Sequence, residues 1–448
     1  MLNIVPNNKE KLFARCVFDL IDISPNSFFV VKNQKKLFND NGFIELNESK
    51  TWNIEYGKNY FVTRNNSSLI AFKIPNNKFS SLLITASHGD YPLLCVKRNP
   101  QKDTLKIYSK LGSEVYGASI LDSWFDVPLG LSGRVCIKKD NRILTKLLNI
   151  DKPLLMLPRL AYHLNRKCNS EISINVNNDL NPVLGSYDNA SFLKIISEQL
   201  NVNKDDILDY ELFFYRQEKS KFWGANDEYA SSRAIDDQVC AYSSLFALLD
   251  TNDASQVSMH VMLDNEELGS STKQGAESTF LSDVIDRLFD SFGIGLQKKA
   301  NILSNSIMLS ADNAHALHPN SPEYSDRENT CIMGTGPVIK YSGKFSYATD
   351  SVSSSIVKMI AKQNSIPLQE FFYRPDLTPG STLSKHFLPT ISIKCADIGL
   401  AQLAMHSTYE TCSVKDVYTL KNLLKCFYKS DIATLYDGEY CINSCKIS

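Results

Sequence analysis

The sequence predicts an α/β protein: a mixed sheet covered by helices, interrupted by a smaller β-rich domain. Three observations predict it. Strand-like apolar runs alternate with helix-length amphipathic stretches in two separate parts of the chain, as when helices cover a sheet. Between those parts, residues 93–229 carry short β-like runs broken by glycine and asparagine turns, which read as a separate β-rich unit. A length of 448 residues leaves room for about three domain-sized units. Residues 1–92 plus 230–448 are therefore assigned to one domain and 93–229 to an insertion.

Taken in order, the first 30 residues read as a helix, with Leu12, Cys16, Phe18, Leu20 and Ile21 roughly on one face. Strands are expected over 60–64 and 68–74, with Asn65, Asn66 and Ser67 as the turn. The apolar run 81–86 suits a buried strand and stops at Ser87-His88-Gly89-Asp90-Tyr91-Pro92. Inside the insertion, 94–97, 104–108 and 133–137 read as strands and 189–200 as a helix. Beyond Ser232 the alternation returns. Helices are expected over 235–249, 274–292, 350–364 and 414–428, the last closing the chain, and strands over 257–263, 306–310 and 390–395.

Composition excludes several classes. Apolar residues at 43% and charged residues at 22% are globular values. Basic and acidic residues number 48 and 49, a net charge of −1, which argues against gripping nucleic acid or an anionic membrane. Eleven cysteines without a CxxC pair argue against a disulfide framework and for a reducing compartment. No run approaches the roughly 18 apolar residues of a membrane span, and the N-terminal segment lacks a signal peptide's apolar core. A cytoplasmic protein without nucleic-acid or membrane partners is the expectation.

Several predicted strands end in acids or histidines. The run 81–86 delivers His88 and Asp90, 257–263 delivers Asp264-Asn265-Glu266-Glu267, and 306–310 delivers Asp312. His406 follows a small apolar run, and Asp236-Asp237 opens a helix. In open α/β sheets ligands collect beyond the carboxyl ends of the strands. His88, Asp236, Glu266, Glu267, Asp312 and His406 together have the composition of a two-metal site. Imidazole and carboxylate without cysteine suit zinc, cobalt or manganese, and a carboxylate can bridge two ions. Neighbours on an extended segment point opposite ways, so one of the two glutamates can bind metal while the other serves as base. Asp90 is placed to accept from the imidazole nitrogen of His88 that is not on the metal.

Each of these residues also has a plainer account. An isolated HxD is mostly loop, adjacent glutamates are mostly solvated, and Asp237 suits a helix N-terminus. His260 and His386 read as structural, whereas His315 and His318 flank the Asp312 loop. On their own, His163 reads as a buried polar residue on a helix and Lys340 as a solvated strand lysine.

With these residues in place, the sequence resembles the aspartyl aminopeptidase family, the aminopeptidase I-like two-metal zinc metallopeptidases. The resemblance covers nearly the whole chain: Tyr60-Phe-Val-Thr-Arg-Asn, Ser87-His88-x-Asp90, Trp124-Phe125-Asp126, Leu160-Ala-Tyr-His163-Leu-Asn-Arg, Asp264-Asn-Glu-Glu-Leu-Gly-Ser270, Ser310-Ala-Asp312-Asn-Ala-His315-Ala-Leu-His318-Pro-Asn, Gly336-Pro-Val-Ile-Lys340 and Gln402-Leu-Ala-Met-His406-Ser407. It implies a catalytic domain of the zinc-exopeptidase type, with an inserted domain used for oligomerisation, commonly into dodecamers. It implies two zinc ions per subunit, with manganese or cobalt as substitutes. His88 and Asp312 then hold one ion, Glu267 and His406 the other, and Asp236 bridges. Glu266 is the general base, Asp90 orients His88, and His163 reaches a neighbouring subunit's site. Lys340, with Gly380, Ser381 and Thr382 of the substrate loop, receives the N-terminal residue of a peptide, an acidic one being favoured. Departures fall at Tyr91, expected to reshape the pocket, at Asp237, which adds a carboxylate beside the bridge, and in the loop 377–382. The rivals are a broader-specificity two-metal aminopeptidase and a non-catalytic, metal-stabilised shell protein.

Overall fold

Two helices form where the sequence predicts one. In a computed structural model describing residues 4–188 and 190–443, they span Asn8–Asp22 and Ser27–Asp40. Pro25 and Asn26 part them. Asn7 forms a capping box with Glu10, and the Asn26 side chain caps the second helix by accepting from the Phe29 N–H.

A nine-stranded mixed sheet organises the chain. Its order is Ile44–Leu46, Asn59–Arg64, Ser68–Lys73, Val257–Leu263, Leu82–His88, Ile307–Ala311, Lys394–Gly399, Val338–Tyr341 and Gln369–Phe372. The four central strands, from Val257–Leu263 to Lys394–Gly399, run parallel. Every residue of Leu82–His88, Val257–Leu263 and Ile307–Ala311 is buried, the reason these strands read as continuous apolar runs. Asn65 and Asn66 take positive φ (58° and 53°) in the predicted hairpin turn. The helices Ile235–Leu249 and Val414–Tyr428 pack together on one face.

Between Leu82–His88 and Val257–Leu263 the chain builds a separate six-stranded antiparallel sheet. Its order is Arg142–Leu155, Leu129–Lys139, Ile207–Arg216, Leu93–Thr104, Tyr108–Tyr116 and Val183–Ser186. After Arg216, the strands Lys221–Trp223 and Tyr229–Ser232 join Glu410–Ser413, Ala401–Leu403 and Ala314–His315 in a five-stranded sheet. The predicted helix 189–200 spans Phe192–Leu200, and Asn189 lies outside the described residues.

Three expectations shift. The strand expected over 390–395 is Lys394–Gly399, because the N–H groups of Thr390 and Ile391 both bond the Phe387 carbonyl at the end of Leu383–Phe387. The helix expected over 274–292 is Phe280–Ser291. Ahead of it the hydroxyls of Thr272 and Ser278 bond the Gly275 backbone, competing with helical bonds. Val414–Tyr428 does not close the chain, since a hairpin, Asp431–Tyr436 with Glu439–Asn443, follows.

Candidate active site

The parallel core brings the carboxyl ends of three strands to one edge, and the predicted acids and histidines gather there. His88 ends Leu82–His88 and pairs in register with Leu263. Asp264 and the short turn Glu266–Leu268 follow directly, and Asp312 follows Ile307–Ala311. Asp236 enters from the start of Ile235–Leu249, where it and Asp237 leave helical geometry and share a cis peptide bond.

Asp236 faces both histidines. Its Oδ1 lies 3.6 Å from His88 Nε2 and its Oδ2 lies 3.6 Å from His406 Nε2. Glu267 Oε1 is 3.4 Å from the same His406 nitrogen. These separations are long for hydrogen bonds. They match two ligand atoms on one ion, because donors about 2.0–2.1 Å from a tetrahedral zinc lie about 3.4 Å apart. The other ring nitrogens are fixed: His88 Nδ1 donates to the Asp90 carbonyl (3.0 Å) and His406 Nδ1 to the Ala118 carbonyl (2.8 Å). A carbonyl only accepts, so both Nδ1 atoms carry hydrogen, and both Nε2 atoms face Asp236, where each is free to bind metal once its ring is neutral.

Burial makes the cluster electrostatically costly without a cation. Asp236 Oδ1, Asp237 Oδ1 and Glu267 Oε1 are buried and have no hydrogen-bond donor. Burial pushes the Glu266 carboxyl up to about 8, aided by Asp312 and Asp90, and raises Glu267 as well. Asp236 goes the other way: His406 and His88 outweigh its burial and hold it far below the usual range. For His406, burial is outweighed by Asp236 and Glu267, which lift it to about 10. Orphaned buried carboxylate oxygens opposite imidazole nitrogens are what divalent cations satisfy, so the residues fit metal. Two groups have ligand atoms within 4.8 Å of one another among the described residues: Asp236, Glu267 and His406, and His88, Glu266 and Glu267.

Asp312 stands outside both groups, its Oδ1 held 2.7 Å from Lys340 Nζ. That ammonium also donates to the carbonyls of Asp312 (3.1 Å) and Asn313 (2.8 Å). Lys340 is thus a buried lysine with all three hydrogens engaged, not a solvated one. The Asp90 carboxylate sits 3.5 Å from His88 Nδ1 and mainly serves the next strand end, accepting from the N–H groups of Glu266 and Glu267 (3.2 Å each). Asp237 is no mere helix terminus: it is fully buried and accepts the His88 N–H (3.2 Å). Tyr91 turns away, its hydroxyl donating to the Pro25 carbonyl in the core, so it does not line the cluster.

Gly380 and Ser381 are exposed, whereas Thr382 is buried with its hydroxyl on Asp397 Oδ1 (2.5 Å). His163 is exposed in a turn rather than buried on a helix. Its ring meets Tyr162, and no described contact brings it to the cluster of its own chain. His260 is structural, buried between Ser244 and Gln34. His315 bonds the Tyr373 hydroxyl (2.6 Å). Glu410 escaped sequence reasoning: its carboxylate accepts from the N–H groups of Asp236 (3.0 Å) and His406 (2.7 Å) and so ties the two segments together. Its only trace in the sequence is an acid four residues past a histidine, a spacing too common to single out.

A mixed α/β sheet with this imidazole–carboxylate cluster at its strand ends is an arrangement suited to a metal-dependent hydrolase of the zinc-exopeptidase type. The comparisons with known proteins agree. The model of the family described as aminopeptidase I zinc metalloprotease (M18) matches residues 20–428. A probable M18 family aminopeptidase 2 of Clostridium novyi is 39% identical over 94% of this chain and 99% of that relative. One from Clostridium acetobutylicum is 37% identical over 93% and 98%. The cryo-EM structure of the Ape4 and Nbr1 complex contains a chain 31% identical to this one, with a TM-score of 0.90 over 95% of this chain and 87% of that one. The chain belongs to the M18 family, whose metal is zinc.

Proposed function

We propose that this aminopeptidase works with two metal ions bridged by Asp236. The observation that carries the reading is the presentation of one Asp236 oxygen to each imidazole. His88 and Asp312 would hold one ion, Glu267 and His406 the other. Bound as a pair, zinc ions, or manganese or cobalt in their place, lower the pKa of water and polarise the scissile carbonyl. Glu266 takes the proton of the attacking water and returns it to the leaving amine. The free α-amine is held among the carboxylates, which confines cleavage to the first residue. Retention of a base that no structural metal needs weighs against the non-catalytic shell.

An acidic N-terminal residue is the substrate class that the resemblance at Lys340 implies. The geometry favours a second reading, because every Lys340 donor already serves Asp312 or Asn313. There Lys340 holds Asp312, and preference extends to neutral termini. Exposed Leu160, Tyr162, Leu164 and Ile172, at 55–73%, suit burial against another copy. This agrees with the homo-oligomer, a dodecamer, that the resemblance implies, with His163 entering a neighbour's site.

The test is release of the first residue from peptides beginning with Asp, Glu, Leu, Ala or Lys, with an acetylated control. It uses metal-stripped protein with zinc, manganese or cobalt returned. Metal-dependent release from free termini only is expected, and silence with every metal would overturn the reading. Lys340→Ala is expected to reduce activity on Asp and Glu peptides about tenfold more than on Leu peptides if an ammonium–carboxylate contact selects the substrate. Equal loss on both, with weakened zinc binding, assigns Lys340 to Asp312 instead.

A further inference from the structure

The insertion reaches the metal centre through residues 116–123, where the chain leaves the strand Tyr108–Tyr116. The Tyr116 hydroxyl donates to Asp90 Oδ2 (2.7 Å) and accepts from Asn265 Nδ2 (2.9 Å). Asn265 Oδ1 in turn accepts from the Thr272 hydroxyl (2.9 Å) and from Gln274 Nε2 (2.7 Å). An amide oxygen only accepts and an amide nitrogen only donates. The proton order is therefore fixed: Thr272 and Gln274 to Asn265, Asn265 to Tyr116, Tyr116 to Asp90. The Asp90 carboxylate ends the chain by accepting the N–H groups of Glu266 and Glu267. A hydroxyl from the inserted sheet thus fixes the acceptor that holds the turn presenting both glutamates.

The next residues touch the other side of the centre. Gly117 takes φ +76°, and a Cβ there would meet Glu267 Cβ at 3.1 Å and Oε2 at 3.3 Å, so a side chain here would be strained and would press on Glu267. The Ala118 carbonyl accepts from His406 Nδ1 (2.8 Å), and the Ile120 N–H donates to the His406 carbonyl (2.9 Å). Ser123 makes two bonds to Thr408.

From this geometry we propose that Tyr116 is a positioning residue for the peptidase reaction. Through Asp90 it holds the Glu266–Glu267 turn, and the strap 116–120 makes the insertion part of the active-site scaffold. The inference rests on the two-metal reading above. The alternative is a tyrosine kept only for packing, since its ring lies edge-on to Phe213 (5.8 Å, 87°).

Tyr116→Phe separates the two, keeping the ring and removing the hydroxyl. Changing a hydrogen-bond partner just outside a metal centre costs about 10–100-fold in metal affinity or activity. Tyr116→Phe is therefore expected to weaken zinc binding about tenfold in chelator competition and to lower kcat by about as much. KM should stay nearly constant, and the visible spectrum of the cobalt-substituted protein should change. Gly117→Ala is expected to disturb the same spectrum from the Glu267 side. Wild-type zinc affinity, kcat and cobalt spectrum in Tyr116→Phe, or a change in KM alone, would overturn the inference and leave the two-metal reading standing. A wild-type protein that binds no zinc would overturn that reading instead.

Discussion

Replacing Glu266 by glutamine is expected to lower kcat by about 100- to 10,000-fold while leaving the zinc content unchanged, the usual worth of a positioned acid–base group. Glutamine preserves shape but is neutral and cannot take a proton. Its neighbour faces the other histidine: Glu267 Oε1 lies 3.4 Å from His406 Nε2. Burial pushes the Glu266 carboxyl up to about 8 in the metal-free protein, and nearby dications pull a carboxyl back down. Initial rates on a cleavable peptide, with elemental analysis of the same samples, check the prediction. Near-normal turnover rejects Glu266 as the base. Loss of zinc reassigns it as a ligand, as its grouping with His88 and Glu267 would allow.

What the sequence disclosed of this site followed from the strands. His88 ends a buried parallel strand, Glu266, Glu267 and Asp312 lie just beyond two others, and such strands announce themselves as apolar runs that stop at a polar cluster. The supporting contacts were not legible, because they cross between distant segments and involve backbone atoms. Glu410 meets the Asp236 N–H across 174 positions, and His406 meets the Ala118 carbonyl across 288. A residue that bonds a backbone N–H far along the chain leaves no spacing rule in the sequence. Lys340 shows the converse: its type and position matched a motif, yet its three acceptors emerge only when Val338–Tyr341 lies beside Lys394–Gly399 and the loop after Ile307–Ala311. The strand offset at Lys394 has the same root, since the end of one short helix consumed N–H groups that periodicity alone assigned to a sheet.

Removing the metal is expected to abolish peptidase activity and to make the folded protein progressively less stable as the pH rises from about 5 to about 9. Folding takes Glu266 and Glu410 from an ordinary 4.5 up to about 8, mainly by burial, and Asp264 from 3.8 to about 7. Across that interval the folded chain holds protons that the unfolded chain has released, so each rise in pH favours unfolding. His406 adds the same sign: lifted from 6.5 to about 10, it contributes stability that is whole below 6.5 and lost as pH climbs through about 10. Asp236, held below its ordinary 3.8, contributes stability lost only on acidification below that value, outside the interval. Zinc held at the Asp236 cluster would replace the protons there as the positive charge between the carboxylates. Its affinity therefore grows with pH, and so does the stabilisation it confers. Thermal melts of stripped and zinc-loaded protein at several pH values should diverge as the pH rises. Parallel curves, with zinc shifting Tm equally at pH 5 and at pH 9, would place the bound ion away from the Asp236 cluster and remove the basis for a two-metal centre there.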